Sequence, residues 1–131
     1  MKLDNQLFDQ LTSQAKACER LRMSYDLRTS VNDSSQRILN ALEPNTIVPI
    51  HRHRNTSETI IVIRGSLKEF FYNDKGEIIG EFLLVAGSEC AALQIPAGQW
   101  HGIEVPESGT IIYEGKDGAY VPLSDEDILH I

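Results

Sequence analysis

Ile50-His51-Arg52-His53-Arg54-Asn55-Thr56-Ser57-Glu58-Thr59-Ile60-Ile61-Val62-Ile63-Arg64-Gly65 holds two of the four histidines of this 131-residue chain, then a carboxylate, then an apolar run closed by glycine. Residues two apart in a strand share a face, so His51 and His53 are placed to present their imidazoles side by side. Glu58 lies an odd number of positions after His53, and an unbroken strand would turn it to the opposite face. The polar Arg54-Asn55-Thr56-Ser57 segment favours a turn and predicts a reversal into a second strand, Glu58 to Ile63, which brings the carboxylate back to the histidine side.

A third histidine arrives in Pro96-Ala97-Gly98-Gln99-Trp100-His101, where proline and glycine predict a tight bend before a new strand. Two imidazoles, a carboxylate from the neighbouring strand and an imidazole from a distant one form a nitrogen and oxygen donor set. That set suits one divalent transition metal ion, zinc, iron, manganese, nickel or copper, with His51, His53, Glu58 and His101 as candidate ligands. Four protein ligands leave a five- or six-coordinate ion open to water or substrate. Neutral imidazole is the ligating form, so metal release is expected as pH falls through about 6.

The whole chain is one domain by size, with 41% hydrophobic and 24% charged residues, typical of a soluble globular protein. A net charge of -7 argues against nucleic acid or an anionic membrane as partner. The two cysteines, Cys18 and Cys90, lack CxxC spacing and are expected as free, mostly packed thiols, one in a helix and one in a strand. The polar start Met1-Lys2-Leu3-Asp4-Asn5-Gln6 lacks a secretory core, and no apolar run is long enough for a membrane helix, so a cytoplasmic location is expected.

Leu7, Phe8, Leu11, Ala15, Cys18 and Leu21 recur at helical steps from Asp4 to about Arg22, predicting an amphipathic helix capped by Asp4 or Asn5, its stripe packed on the rest of the fold or on a partner subunit. Residues 23–35 read as a mixed polar stretch ending in a loop, and Arg37 to Leu42 as a strand ended by Pro44-Asn45. Ile60 to Ile63 is apolar on both faces, as for a strand covered on both sides. Strand and turn signals then recur through Leu67 to Tyr72, Glu77 to Val85, Cys90 to Ile95 and Thr110 to Glu114, predicting an antiparallel sandwich or barrel. Ser124-Asp125-Glu126-Asp127 marks a short helical turn, and His130 reads as a surface residue.

His51-x-His53-x4-Glu58-x6-Gly65 and Pro96-x-Gly98-x2-His101 together resemble the two motifs of the cupin superfamily. The resemblance implies a mainly β fold, a single jelly-roll cupin barrel over residues 30–121 with an N-terminal helix and lead-in over 1–24 and a tail over 122–131. It also implies the same four residues as metal ligands. Asn45 stands where the first motif usually opens with glycine, and Val105 where the second often closes with asparagine.

Gln36-Arg37-Ile38-Leu39-Asn40-Ala41-Leu42-Glu43-Pro44 and Glu114-Gly115-Lys116-Asp117-Gly118-Ala119-Tyr120 look like the WbuC-type cupin-fold metalloproteins, associated with O-antigen and other surface-polysaccharide gene clusters. By that likeness an arginine facing the site matches Arg22, whereas Ser24 and Arg28 depart from the pattern. The likeness implies a small ligand of sugar or sugar-nucleotide type, and the broader cupin resemblance, with an apolar face on the N-terminal helix, implies a homodimer. Three readings stay open: a metal-dependent enzyme of isomerase, epimerase or oxygenase type; a metal-independent keto-sugar-nucleotide isomerase or epimerase using a histidine and a tyrosine such as Tyr25 or Tyr113; and a ligand-binding or sensory cupin. Trp100 either caps the pocket or packs outward on the helix.

Overall fold

The computed structural model describes residues 1–131 as one helix, eight strands and a closing 3-10 turn. Helix α1 spans Asn5–Ala17, with Asp4 as N-cap accepting a hydrogen bond from the Leu7 amide at 3.2 Å. It stops well short of Arg22. Leu21 takes a left-handed φ of 57°, and the chain then enters β1, Arg22–Asp26.

The other strands are β2 (Ser35–Leu42), β3 (Glu58–Arg64), β4 (Ser66–Tyr72), β5 (Ile78–Val85), β6 (Ala92–Ile95), β7 (Trp100–Glu104) and β8 (Thr110–Asp117). A five-stranded sheet runs β1-β2-β8-β3-β6 and a three-stranded sheet β5-β4-β7, both antiparallel where paired. This is the mainly β, two-sheet architecture expected. The strand β1 falls in a stretch read as irregular, because only Met23 and Tyr25 alternate there; its order comes from pairing Arg22–Asp26 with Leu42–Ile38.

Strand alternation divides the core in two. Leu42, Ile60, Val62, Leu67, Leu84, Ile95, Val105 and Ile112 pack between the sheets. Leu39, Ala41 and Ile111, on the opposite face of the large sheet, receive Phe8, Leu11 and Ala15 of α1. The helix stripe is therefore spent on the chain's own sheet. Burying each such side chain stabilises by roughly 1.5–3 kcal/mol.

The helix covers only part of that outer face. Ile61 and Ile63 remain 40% and 39% exposed, which corrects the reading of β3 as covered on both sides. Both thiols are free as expected, but Cys18 caps the end of α1 and Cys90 is exposed in a turn before β6, so neither is packed in an element.

Two turns carry backbone constraints. Gly65 has φ +82°, and a Cβ there would lie 2.9 Å from the Thr110 Cα. Gly65→Ala should destabilise by at least about 2 kcal/mol, since strain and overlap add. A denaturant midpoint unchanged from wild type would contradict this. Asn45, where the motif usually has glycine, adopts φ 75°, a conformation asparagine tolerates better than most residues. The departure is accommodated, and Val105 fills a core position.

The tail folds back over one end of the barrel. The Arg52 amide donates to the Asp127 carbonyl, and the Leu129 amide to the Ile50 carbonyl. Arg52 and Arg54 both reach the Asp127 carboxylate, at 3.1 and 2.6 Å. No helix is long and apolar enough to cross a membrane.

Candidate metal centre

His51 is the only member of the His-x-His pair held by strand-like pairing. It exchanges two backbone hydrogen bonds with His101, at 3.0 and 2.9 Å, while residues 52–57 turn without regular structure. The pair therefore does not sit on a continuous strand as first expected. The Arg52 amide is engaged by the tail, and the chain must reverse before Glu58. The imidazoles converge nevertheless, with ring centroids 5.1 Å apart for His51 and His53, 4.3 Å for His51 and His101, and 5.8 Å for His53 and His101.

Ring nitrogens of His51, His53 and His101 lie within 4.8 Å of one another, a group that can hold a metal ion. Glu58, the first residue of β3, points to the same place. Its Oε2 is 3.5 Å from Nε2 of both His53 and His101. Glu58 and His101 are 4% and 3% exposed, both turned inward.

Tautomers follow from the backbone. The His51 Nδ1 lies 2.8 Å from the Pro49 carbonyl and the His101 Nδ1 2.9 Å from the Gln99 carbonyl. A carbonyl only accepts, so each Nδ1 carries the proton and each Nε2 presents its lone pair. This is the outer hydrogen bond that typically orients a metal-ligating histidine. The His101 lone pair then faces a carboxylate oxygen, Glu58 Oε2, which is buried and lacks any hydrogen-bond partner. Two acceptors face each other across 3.5 Å, an arrangement that a cation between them resolves.

Electrostatics favour the ligating forms. Burial, then the neighbouring His101, lowers the His51 imidazole to about 4; burial, then the Lys116 charge, lowers His53 to about 4. Burial pushes the Glu58 carboxyl up, whereas positive charge facing it, on His101 when protonated, on Lys116 and on His53 when protonated, holds it below its ordinary value; a bound cation would take the place of the imidazolium charge.

The cluster opens on a cavity of about 440 Å³ between the sheets. Its lining includes two carboxyls that the motifs do not include. Glu69 on β4 is fully buried with both oxygens unpartnered, and burial, followed by Glu58 and Glu114, raises it to about 9. Glu114 on β8 is raised by burial and then by the Glu58 charge. The available signal is alternation: Glu69 shares a face with Leu67 and Phe71, and Glu114 with Ile112.

Of the remaining candidates only Arg22 reaches the cavity. Arg22 lines the cavity, its Nη1 donating to the Ile47 carbonyl at 2.7 Å. Arg28 is paired with Asp26 at 2.8 Å. Tyr25 and Tyr113 pack against the helix-side core, and neither lines the cavity. Trp100 neither caps the cavity nor meets α1: its Nε1 donates to Asp74 at 2.9 Å, and Arg52 stacks 4.3 Å above its ring. His130 is exposed and pairs with Asp125.

Among solved structures, the chain is similar to the capsular polysaccharide assembling protein CapF from Staphylococcus aureus, with 22% identity and a TM-score of 0.66 over 82% of this chain and 30% of that one. Recombinant oxalate oxidase in complex with glycolate matches with 14% identity and a TM-score of 0.62, covering 79% of this chain and 54% of that one. The Schizosaccharomyces pombe Cnp3 cupin domain matches with 9% identity and a TM-score of 0.60, covering 74% and 61% respectively. These likenesses show the cupin fold, and this chain spans less than two thirds of each of those proteins. A search of curated proteins finds no match. Residues 3–84, well over half of the chain, match the family described as Domain of unknown function (DUF6016), and the chain belongs to that family.

Proposed function

We propose that this chain is a metal-binding cupin of the WbuC type, with His51, His53, Glu58 and His101 as ligands of one divalent transition metal ion. It binds or acts on a small sugar-type metabolite in bacterial surface-polysaccharide synthesis. The observation that carries the metal reading is the inward, unpartnered Glu58 Oε2 facing the Nε2 atoms of His53 and His101. Support for the polysaccharide setting is the likeness to CapF, a capsular polysaccharide assembling protein, beside the resemblance of the Gln36–Pro44 and Glu114–Tyr120 segments. A bound ion would supply Lewis acidity to an oxygen of the ligand. The chain supplies the donors and the cavity.

Metal content of the purified protein tests this reading, with His51→Ala as control. Stoichiometric divalent metal lost in the variant is expected; a metal-free wild type that also fails to take up added zinc, cobalt, nickel, manganese or ferrous ion overturns it.

The pH of release shifts from the expectation near 6. Burial has already lowered His51 and His53 to about 4, so protons compete weakly above that value. Bound metal should persist at about pH 6 and be lost nearer pH 4. In metal-free protein the same two groups stabilise the fold fully above their unfolded value near 6.5, and that stability is lost as pH falls toward 4. A titration of bound zinc with a midpoint at or above pH 6 would contradict the assignment of both histidines.

A further inference from the structure

The cavity wall carries four basic side chains, and three are engaged. Arg52 and Arg54 are neutralised by Asp127 and Glu126, and Arg22 is hydrogen-bonded to the Ile47 carbonyl. Lys116 makes no ion pair. It stands opposite Glu58 in the β3–β8 register, yet Glu58 turns its carboxylate to the histidines instead. Lys116 is close enough that its charge acts on both His53 and Glu58.

An unpaired ammonium beside a cluster built for a divalent cation is a repulsive arrangement. The two acids nearest Lys116 leave that charge only partly met, because Glu58 turns its carboxylate to the histidines and burial raises Glu114 toward its neutral form, so an added anion is favoured there. The second open valence is at the buried end, where Glu69 has no exposed surface and both oxygens lack a hydrogen-bond partner. A buried carboxyl left this way costs free energy unless a ligand hydroxyl satisfies it. Asn40 and Gln36 add further polar lining nearby.

Resting on the metal-binding reading above, we infer that the cavity takes a small polyhydroxylated anion, its carboxylate or phosphate held between Lys116 and the histidine cluster and a hydroxyl bonded to Glu69. A volume of about 440 Å³ accommodates one monosaccharide-sized molecule. Carboxylate and phosphate offer Lys116 the same charge, so both forms enter the test.

Isothermal titration of gluconate, glucose 1-phosphate and sorbitol into zinc-loaded and chelator-treated protein reads this directly. At least one of the two anions is expected to bind the zinc-loaded protein saturably, at least about tenfold tighter than sorbitol, and the tighter of the two identifies the group. Lys116→Met should lose at least about tenfold of that affinity with zinc content unchanged, and Lys116→Arg should retain most of it. Glu69→Leu should weaken gluconate while leaving butyrate unaffected, since butyrate has no hydroxyl to bond. Sorbitol binding as tightly as the anions, a Lys116→Met variant with wild-type affinity, or no binding of either anion would overturn the inference. Zinc uptake measured on the same samples separates the two readings. Intact zinc binding without anion binding sinks only the ligand, and anion binding without zinc uptake sinks only the metal.

Discussion

Glu58→Gln is expected to lower zinc affinity by more than about 100-fold while leaving the protein folded. Loss of a partner that only orients a ligand typically costs about 10–100-fold, and Glu58 is placed to do more than orient. Its Oε2 sits 3.5 Å from two imidazole nitrogens and has nothing else to bind. Glutamine keeps the volume and removes the charge, and its amide can turn an N–H toward the His101 lone pair. The metal-free variant thereby gains a hydrogen bond that the wild type lacks, so its stability should hold even as its affinity collapses. His101→Ala should lose metal as well, but it also removes the Nδ1 bond to the Gln99 carbonyl and so lowers stability. Competition with a chromophoric chelator measures the first effect and denaturant unfolding the second. Wild-type zinc affinity in Glu58→Gln would remove the carboxylate from the ligand set.

The site was legible because its members are tied to spacing. His51 and His53 flank one residue, Glu58 opens a strand after a polar reversal, and His101 follows a Pro-Gly bend, so each geometric constraint leaves a local trace. Glu69 and Lys116 leave weaker traces. Glu69 alternates with Leu67 and Phe71, but Lys68 alternates with Phe70 and Tyr72, so alternation alone marks both faces as apolar; the pairing of Glu69 with Ile103, which lines the cavity, decides it. The latch of the tail was illegible for a different reason. Asp127 is an ordinary surface acid until the fold brings it to Arg52 and Arg54, 75 and 73 positions away. β1 likewise exists because β2 offers it an edge, whereas the helix stripe and the buried alternation of β3 depend on periodicity that the chain displays by itself. Even there, the exposure of Ile61 and Ile63 depends on how far α1 reaches, which no local pattern encodes.

Glu69→Gln should stabilise the metal-free protein, and the gain should grow with pH. The Glu69 carboxyl is raised from 4.5 to about 9, first by burial and then by the charges of Glu58 and Glu114. Through that window the folded state holds a proton that the unfolded chain has released, so stability falls as pH rises from about 4.5 toward 9. At about pH 7 the penalty is on the order of 3 kcal/mol, from about 1.4 kcal/mol for each unit between the unfolded value and the working pH. Glutamine fills the same volume and carries no ionisable group, so it abolishes the penalty. A chain of this length should then melt about 10 °C higher at about pH 7, more at about pH 8.5, and scarcely differently at about pH 4.5. Thermal unfolding of chelator-treated wild type and variant at these three values is the measurement. A difference that does not change with pH would mean that Glu69 is ionised in the folded state. A carboxyl kept fully buried at the cavity border with both oxygens unpartnered is a stability cost that packing does not account for, and the ligand hydroxyl inferred above is what would offset it.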